Sequence, residues 1–212
     1  MITITEQSPD GDKSISPETF PTHFGRICQS HRAQDRALVF GVLLYDLQHP
    51  QIVEVLQNEA YWNCLDDLSG SSLTVFSFHS PITDNVSHQF TDGIQSVLSS
   101  HFDVDKPLSM PSLLLFQIHD NEVIDSELVS FEGASFDASF HELRDAISGV
   151  VTAVSKVKAC NSTNSQEIFD LVRNDIQNRN LVSFSVKAGK NAVTTAQLFL
   201  ILERLIATAL AG

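Results

Sequence analysis

Three cysteines, eight histidines and one short lysine-glycine stretch are the groups with which this chain could do chemistry. A thiol is nucleophilic or metal-binding only as its thiolate, and dithiol exchange needs a second thiol close by. Cys28, Cys64 and Cys160 lie far apart, and no Cys-X-X-Cys occurs. An odd, dispersed set suits a reducing compartment and neither a disulfide framework nor a zinc site. Cys64 falls on the apolar stripe of Val53, Leu56, Ala60 and Leu68, so it reads as a small core residue that burial would keep inert. Cys28, on an amphipathic N-terminal helix, reads the same way. Cys160 lies in a polar linker, "CNSTNS", with no base beside it in sequence.

The other candidates are weaker. His49, His79, His88, His101 and His119 meet only if loops at one end of a sheet converge, and no HxH, HxxxH or HExxH pattern supplies a ligand pair. "KAGKNAV" (187–193) lacks the glycine a phosphate loop needs five positions before its Gly-Lys, where Phe184 stands. Asp66 and Asp67 are adjacent, so on a helix they point to different sides. Asp103 and Asp105 fall short of the ligand count of a calcium loop. No metal and no cofactor is expected.

Charge narrows the partners. The formal charge of −13 argues against nucleic acid, which requires a basic footprint, and against anionic membrane surfaces. It favours a basic protein partner. The start, "MITITEQSPDGDKSISPE", has neither a basic cluster nor an apolar stretch, and the most apolar segment is interrupted by Glu203 and Arg204. A cytoplasmic protein is the expectation.

The elements that must position any site follow from periodicity. Residues 1–15 are polar and read as a flexible arm, and Ser16-Pro17 opens a helix over 16–34. "ALVFGVLLY" (37–45) and "LTVFSFH" (73–79) are continuous apolar runs, as strands covered on both faces are. Between them, 50–70 reads as one helix from Pro50 to Gly70. Val86, Phe90, Ile94, Val97 and Leu98 mark another helix. Leu113–Ile118 and Val123–Phe131 form a hairpin around "HDNE", and "SFHE" (139–142) is a capping box opening a helix with Leu143, Ile147, Val150 and Val154. A segment over 165–212 reads as helix, strand "LVSFSVK" and a long apolar helix. It is expected to pack on the core and add a strand at the sheet edge.

The order strand, helix, strand, helix, strand, strand, helix, with "MPSLLLFQIHDNEV" at its third strand, resembles the thioredoxin-like superfamily in its minimal, glutaredoxin-type form. The resemblance covers residues 37–158. It implies a three-layer α/β sandwich with a mixed four- or five-stranded sheet. In that superfamily a cis-proline precedes the third core strand beside the active-site loop. Pro111 takes that place, with Ser112 where threonine is usual. A proline at the first position of a strand needs no ladder donor, and the isomer of the 110–111 bond stays open on sequence alone. The redox cysteines of the family stand where a strand ends and a helix starts. Here that position reads "YDLQHPQ" (45–51) or, if a strand and helix have been added in front, "FHSPITDN" (78–85). Neither contains cysteine.

The resemblance therefore implies the fold without the dithiol reaction: a protein-interaction or regulatory module. Its groove would comprise Asp46, His49, His79, Met110, Pro111 and Ser112, and its partner would be a protein. Two alternatives stand beside it. One is a single-thiol or metal-assisted enzyme using Cys64 or the loop histidines. The other is a structural subunit, or homo-oligomer, docking through the C-terminal helix.

Overall fold

The computed structural model describes residues 1–5, 20–34, 39–45, 49–79, 111–119, 122–159, 165–179 and 181–185. Within them the strands are β1 (Ile2–Thr5), β2 (Val39–Leu44), β3 (Thr74–His79), β4 (Ser112–His119), β5 (Glu122–Ser130) and β6 (Val182–Ser185). The helices are α1 (Phe20–Ala33), α2 (Pro50–Gln57), α3 (Glu59–Ser69), α4 (Phe136–Ala159) and α5 (Ser165–Asn178). The strands form one mixed sheet in the order β1-β3-β2-β4-β5-β6. β1, β3 and β2 run parallel, and β4, β5 and β6 are each antiparallel to the strand before them in that order.

β2 lies between β3 and β4, and all six of its residues are buried. A strand covered on both faces must be apolar throughout, which explains the unbroken Val39–Leu44 run. Side-chain alternation then sorts the sheet into two cores. On one face Val39, Leu43, Val75, Leu113, Leu115 and Val129 pack with Ile52 and Val55 of α2, Leu65 of α3, Leu143, Ile147 and Val150 of α4, and Phe169, Val172 and Ile176 of α5. On the other, Phe40 stacks against Phe76 and Phe116 at centroid separations of 6.4 and 5.6 Å. His31 of α1 covers Phe40 from above at 5.5 Å. Each fully buried phenylalanine or leucine of these layers contributes about 1.5–3 kcal/mol.

Several expectations change. Residues 2–5, inside the segment read as an arm, form β1 and extend the sheet to six strands; Ile-Thr-Ile-Thr alternates β-branched residues as a strand does. The single helix over 50–70 is two. Asn58 has extended backbone (φ −83°, ψ 111°), and its Oδ1 accepts from the N–H groups of Ala60 and Tyr61, capping α3. That break re-phases the apolar stripe. Leu65 and Ser69 are buried on α3, whereas Ala60 and Cys64 are exposed, so Cys64 is not a core residue. Cys28 is buried, as read.

The capping box is displaced too. α4 starts at Phe136, Ser135 Oγ accepts from Ala138 N–H at 3.1 Å, and Ser139 lies buried inside the helix. α5 spans the expected 165–178, and β6 covers the outer edge of β5 as anticipated. The helix expected around Val86–Leu98, the Cys160 linker and the C-terminal helix lie outside the described residues. No helix among the described residues is long and apolar enough to cross a membrane.

Candidate functional site

Strand direction gathers the candidate residues at one end of the sheet. β2 and β3 are parallel, so Leu44 and His79 finish at the same end. β4 is antiparallel to β2, with Ser112 opposite Leu44, so Pro111 enters the sheet where β2 leaves it. Ser130, closing β5, lies opposite Ser112 on the other side. After Tyr45 the chain re-enters regular structure at α2, where His49 is the N-cap residue and Pro50 the first helical one. The carbonyl of His49 accepts from Ile52 N–H at 3.1 Å and from Val53 N–H at 3.5 Å. A proline suits that first position because its missing N–H would have had no helical partner.

Pro111 is buried. Its carbonyl accepts from Phe131 N–H at 2.9 Å, which starts the β4–β5 ladder one residue before the strand proper. Gly133, in the left-handed region at φ 60°, lies against the proline ring; a Cβ there would sit 3.3 Å from both Cδ and Cγ of Pro111. The loop is held from α4, where the two carboxylate oxygens of Glu142 accept from the N–H groups of Glu132 and Gly133 at 3.3 and 3.2 Å. The glutamate thus does act on backbone donors, but on the loop before the helix and not on its own first turn. Ser139 Oγ, under Gly133, is buried and has no hydrogen-bond partner among the described residues.

Of the six groove residues expected from sequence, three can be placed in full. Pro111 and Ser112 are buried and so shape the sheet end from beneath. His49 is half-buried at the start of α2. His79 is placed by its backbone at the end of β3, whereas Asp46 and Met110 lie outside the described residues. β2 ends at Leu44 and α2 begins at Pro50, so 45–49 connects the strand paired with β4 to a helix; residues 46–48 and 80–85 lie outside the described residues. Tyr45 supplies the hydroxyl nearest this junction in sequence. Burial pushes its pKa above the ordinary phenolic value of 10.0. No group of three or more His, Cys, Asp or Glu among the described residues could hold a metal ion.

Two polar groups, one buried and one half-buried, escaped the sequence reading. His31 is 3% exposed, with Nε2 3.4 Å from Thr74 Oγ1. Its signal was present, three residues after Cys28 on the inward side of α1. The second is Arg173 of α5, which donates to Asp125, to Glu127 at 2.9 Å and to Asp170 at 3.3 Å, with Phe169 beneath the guanidinium. Burial would lower the pKa of Arg173, but the adjacent carboxylates of Asp125 and Glu127 outweigh it and hold the pKa above its usual value. Asp125 and Glu127 alternate on one face of β5, and the acid at 127 is almost wholly enclosed. This cluster fixes α5 to the sheet.

No protein-family model, curated protein or solved structure matches the chain.

Proposed function

We propose that this chain is a thioredoxin-like protein without a redox centre that works by binding another protein, as an interaction or regulatory module. One observation carries the reading: Pro111 immediately precedes β4, whose first residue pairs with the last of β2, and no cysteine stands in the sequence between β2 and α2. A mixed sheet with α1 on one face and α2 and α4 on the other supports it, because a layered α/β sandwich of that kind is what the resemblance implies. The extra β6 and α5 belong to this chain's extension. Function is argued here from the site, since a shared fold alone does not carry one.

The test is a cysteine-free variant, Cys28→Ser, Cys64→Ser and Cys160→Ser, compared with the wild type for binding to the physiological partner once it is isolated by cross-linking. Unchanged affinity is expected; loss of binding with the fold intact would overturn the reading. The exposure of Cys64 gives the single-thiol alternative one specific support. Its discriminator is the pH dependence of alkylation in the native state. An ordinary thiol reacts faster as pH rises towards about 8.5, whereas a catalytic thiolate reaches its plateau well below that.

A further inference from the structure

Two of the groove residues expected from sequence, Pro111 and Ser112, are buried, so a partner reaches them only if something moves. Gly133 lies on the Pro111 ring, with its Cβ position 3.3 Å from both Cδ and Cγ. It belongs to the short connection 132–134 between β5 and α4. Backbone hydrogen bonds fix the two ends of that connection. Phe131 N–H donates to the Pro111 carbonyl at 2.9 Å, and Ser139 N–H donates to the Ser135 carbonyl at 2.9 Å as α4 begins.

Between those anchors no backbone-to-backbone hydrogen bond holds the chain among the described residues. The N–H groups of Glu132 and Gly133 donate instead to the two carboxylate oxygens of Glu142, at 3.3 and 3.2 Å. One side chain of α4 therefore holds the connection against a buried proline. Glu132 and Ala134 are exposed, so Gly133 alone of the three is packed inward. Its left-handed backbone (φ 60°) and missing Cβ let it change conformation at little steric cost. Beneath it, Ser139 Oγ is wholly buried with no hydrogen-bond partner among the described residues. A hydroxyl taken from water without compensation destabilises the state that buries it, and it regains water when its cover lifts.

We propose that residues 132–134 are a strap closed over Pro111, with Glu142 as its latch, and that opening the strap uncovers the proline ring and the Ser139 hydroxyl. Glu142 is a positioning residue, acting through the two loop amides. The inference deepens the binding-module reading and rests on it for its consequence: the sheet end stays self-covered until a partner displaces the strap.

The experiment needs no partner. Native-state amide hydrogen exchange is measured at Glu132 and Gly133 in the wild type, Glu142→Ala and Glu142→Gln. Glu142→Ala should raise both exchange rates about tenfold, the low end for losing a hydrogen bond to a charged group. Glu142→Gln keeps one acceptor and should raise them less. The amides of Phe131 and Ser139, tied to backbone carbonyls, should keep their protection. Equal loss of protection at Phe131 and Ser139 would mean that the whole sheet end loosens, and that result overturns the strap. Unchanged exchange at Glu132 and Gly133 overturns it too. Should Glu142→Ala fail to fold by circular dichroism, Glu142→Gln decides. Ser139→Cys in the cysteine-free background gives a second readout, because alkylation of the new thiol follows each opening. Adding Glu142→Gln should quicken it, and a rate indifferent to that change would contradict the latch. Failure of the strap in these assays leaves the binding-module reading untouched, and failure of the cysteine-free binding test leaves the strap in place.

Discussion

Replacing glycine by alanine should have opposite effects at two positions, and the geometry sets both signs. At Gly133 the backbone is left-handed (φ 60°), which costs an L-residue about 1–2 kcal/mol. The new Cβ would also lie 3.3 Å from Cδ and Cγ of Pro111, tighter than an ordinary contact, and the buried ring has little room to retreat. Overpacking of that kind adds about 1–3 kcal/mol, so Gly133→Ala should destabilise by about 2–5 kcal/mol in total. Gly149 lies inside α4 beneath the Asp175–Arg179 pair of α5 and its turn. There a Cβ would meet Asp175 Oδ2 at 3.4 Å and Arg179 Nε at 3.5 Å, ordinary contact with the ends of flexible side chains. Helix propensity then prevails, and Gly149→Ala should stabilise by about 0.5–1 kcal/mol. Urea unfolding followed by far-UV circular dichroism measures both, with unchanged m-values marking a change in stability alone. If Gly133→Ala stays within about 0.5 kcal/mol of wild type, the packing of Pro111 on this loop is not as described.

Three further outcomes follow from other parts of the molecule. Arg173→Met removes the guanidinium from Glu127, 2% exposed, and Asp125, 13% exposed; the loss should be about 3 kcal/mol, the low end for a broken buried pair because Arg173 is itself 19% exposed. Adding Glu127→Gln should recover part of that loss in the same unfolding assay, and a loss under about 1 kcal/mol would contradict the clasp. Asn58→Ala deletes the cap of α3 and should cost about 1 kcal/mol. Tyr45 has its folded pKa above the unfolded value of 10.0, so its stabilising effect is complete below that pH and is lost as pH rises past it. Tyr45→Phe should therefore lessen the fall in stability on the alkaline side, measured by thermal melts on either side of that pH; identical limbs would refute the burial of its hydroxyl.

What the sequence disclosed, and what it hid, has physical causes. β2 was legible because a strand buried on both faces has no polar positions to confuse the pattern, and Pro111 was legible because strand starts tolerate a missing donor. Cys64 was misplaced because period counting runs straight through Asn58. The side chain of Asn58 satisfies two amides and restarts the helix in a different phase. The signal lay in the residue type itself, since asparagine followed by glutamate is a helix start as well as a helix interior. The capping box at 139–142 was misplaced: Ser135 caps α4, and Glu142, inside the helix, accepts from loop amides, because sequence spacing cannot tell a helix's own first turn from the loop before it. Arg173 and its carboxylates are forty-six and forty-eight residues apart in sequence, a pairing that only the docking of α5 on β5 creates.

The most direct test of the central claim is to restore the missing chemistry. In the cysteine-free background, Gln48→Cys with Gln51→Cys puts a Cys-X-X-Cys in the sequence between the end of β2 and the first turn of α2. Such a pair gains an acidic thiol from the helix start and closes to a disulfide. Reduction of insulin by dithiothreitol, followed by turbidity, is the measurement. The account predicts acceleration by the double-cysteine variant and none by the parent. Two thiols that remain ordinary, with no acceleration in a folded protein, would contradict the thioredoxin-like placement of this site.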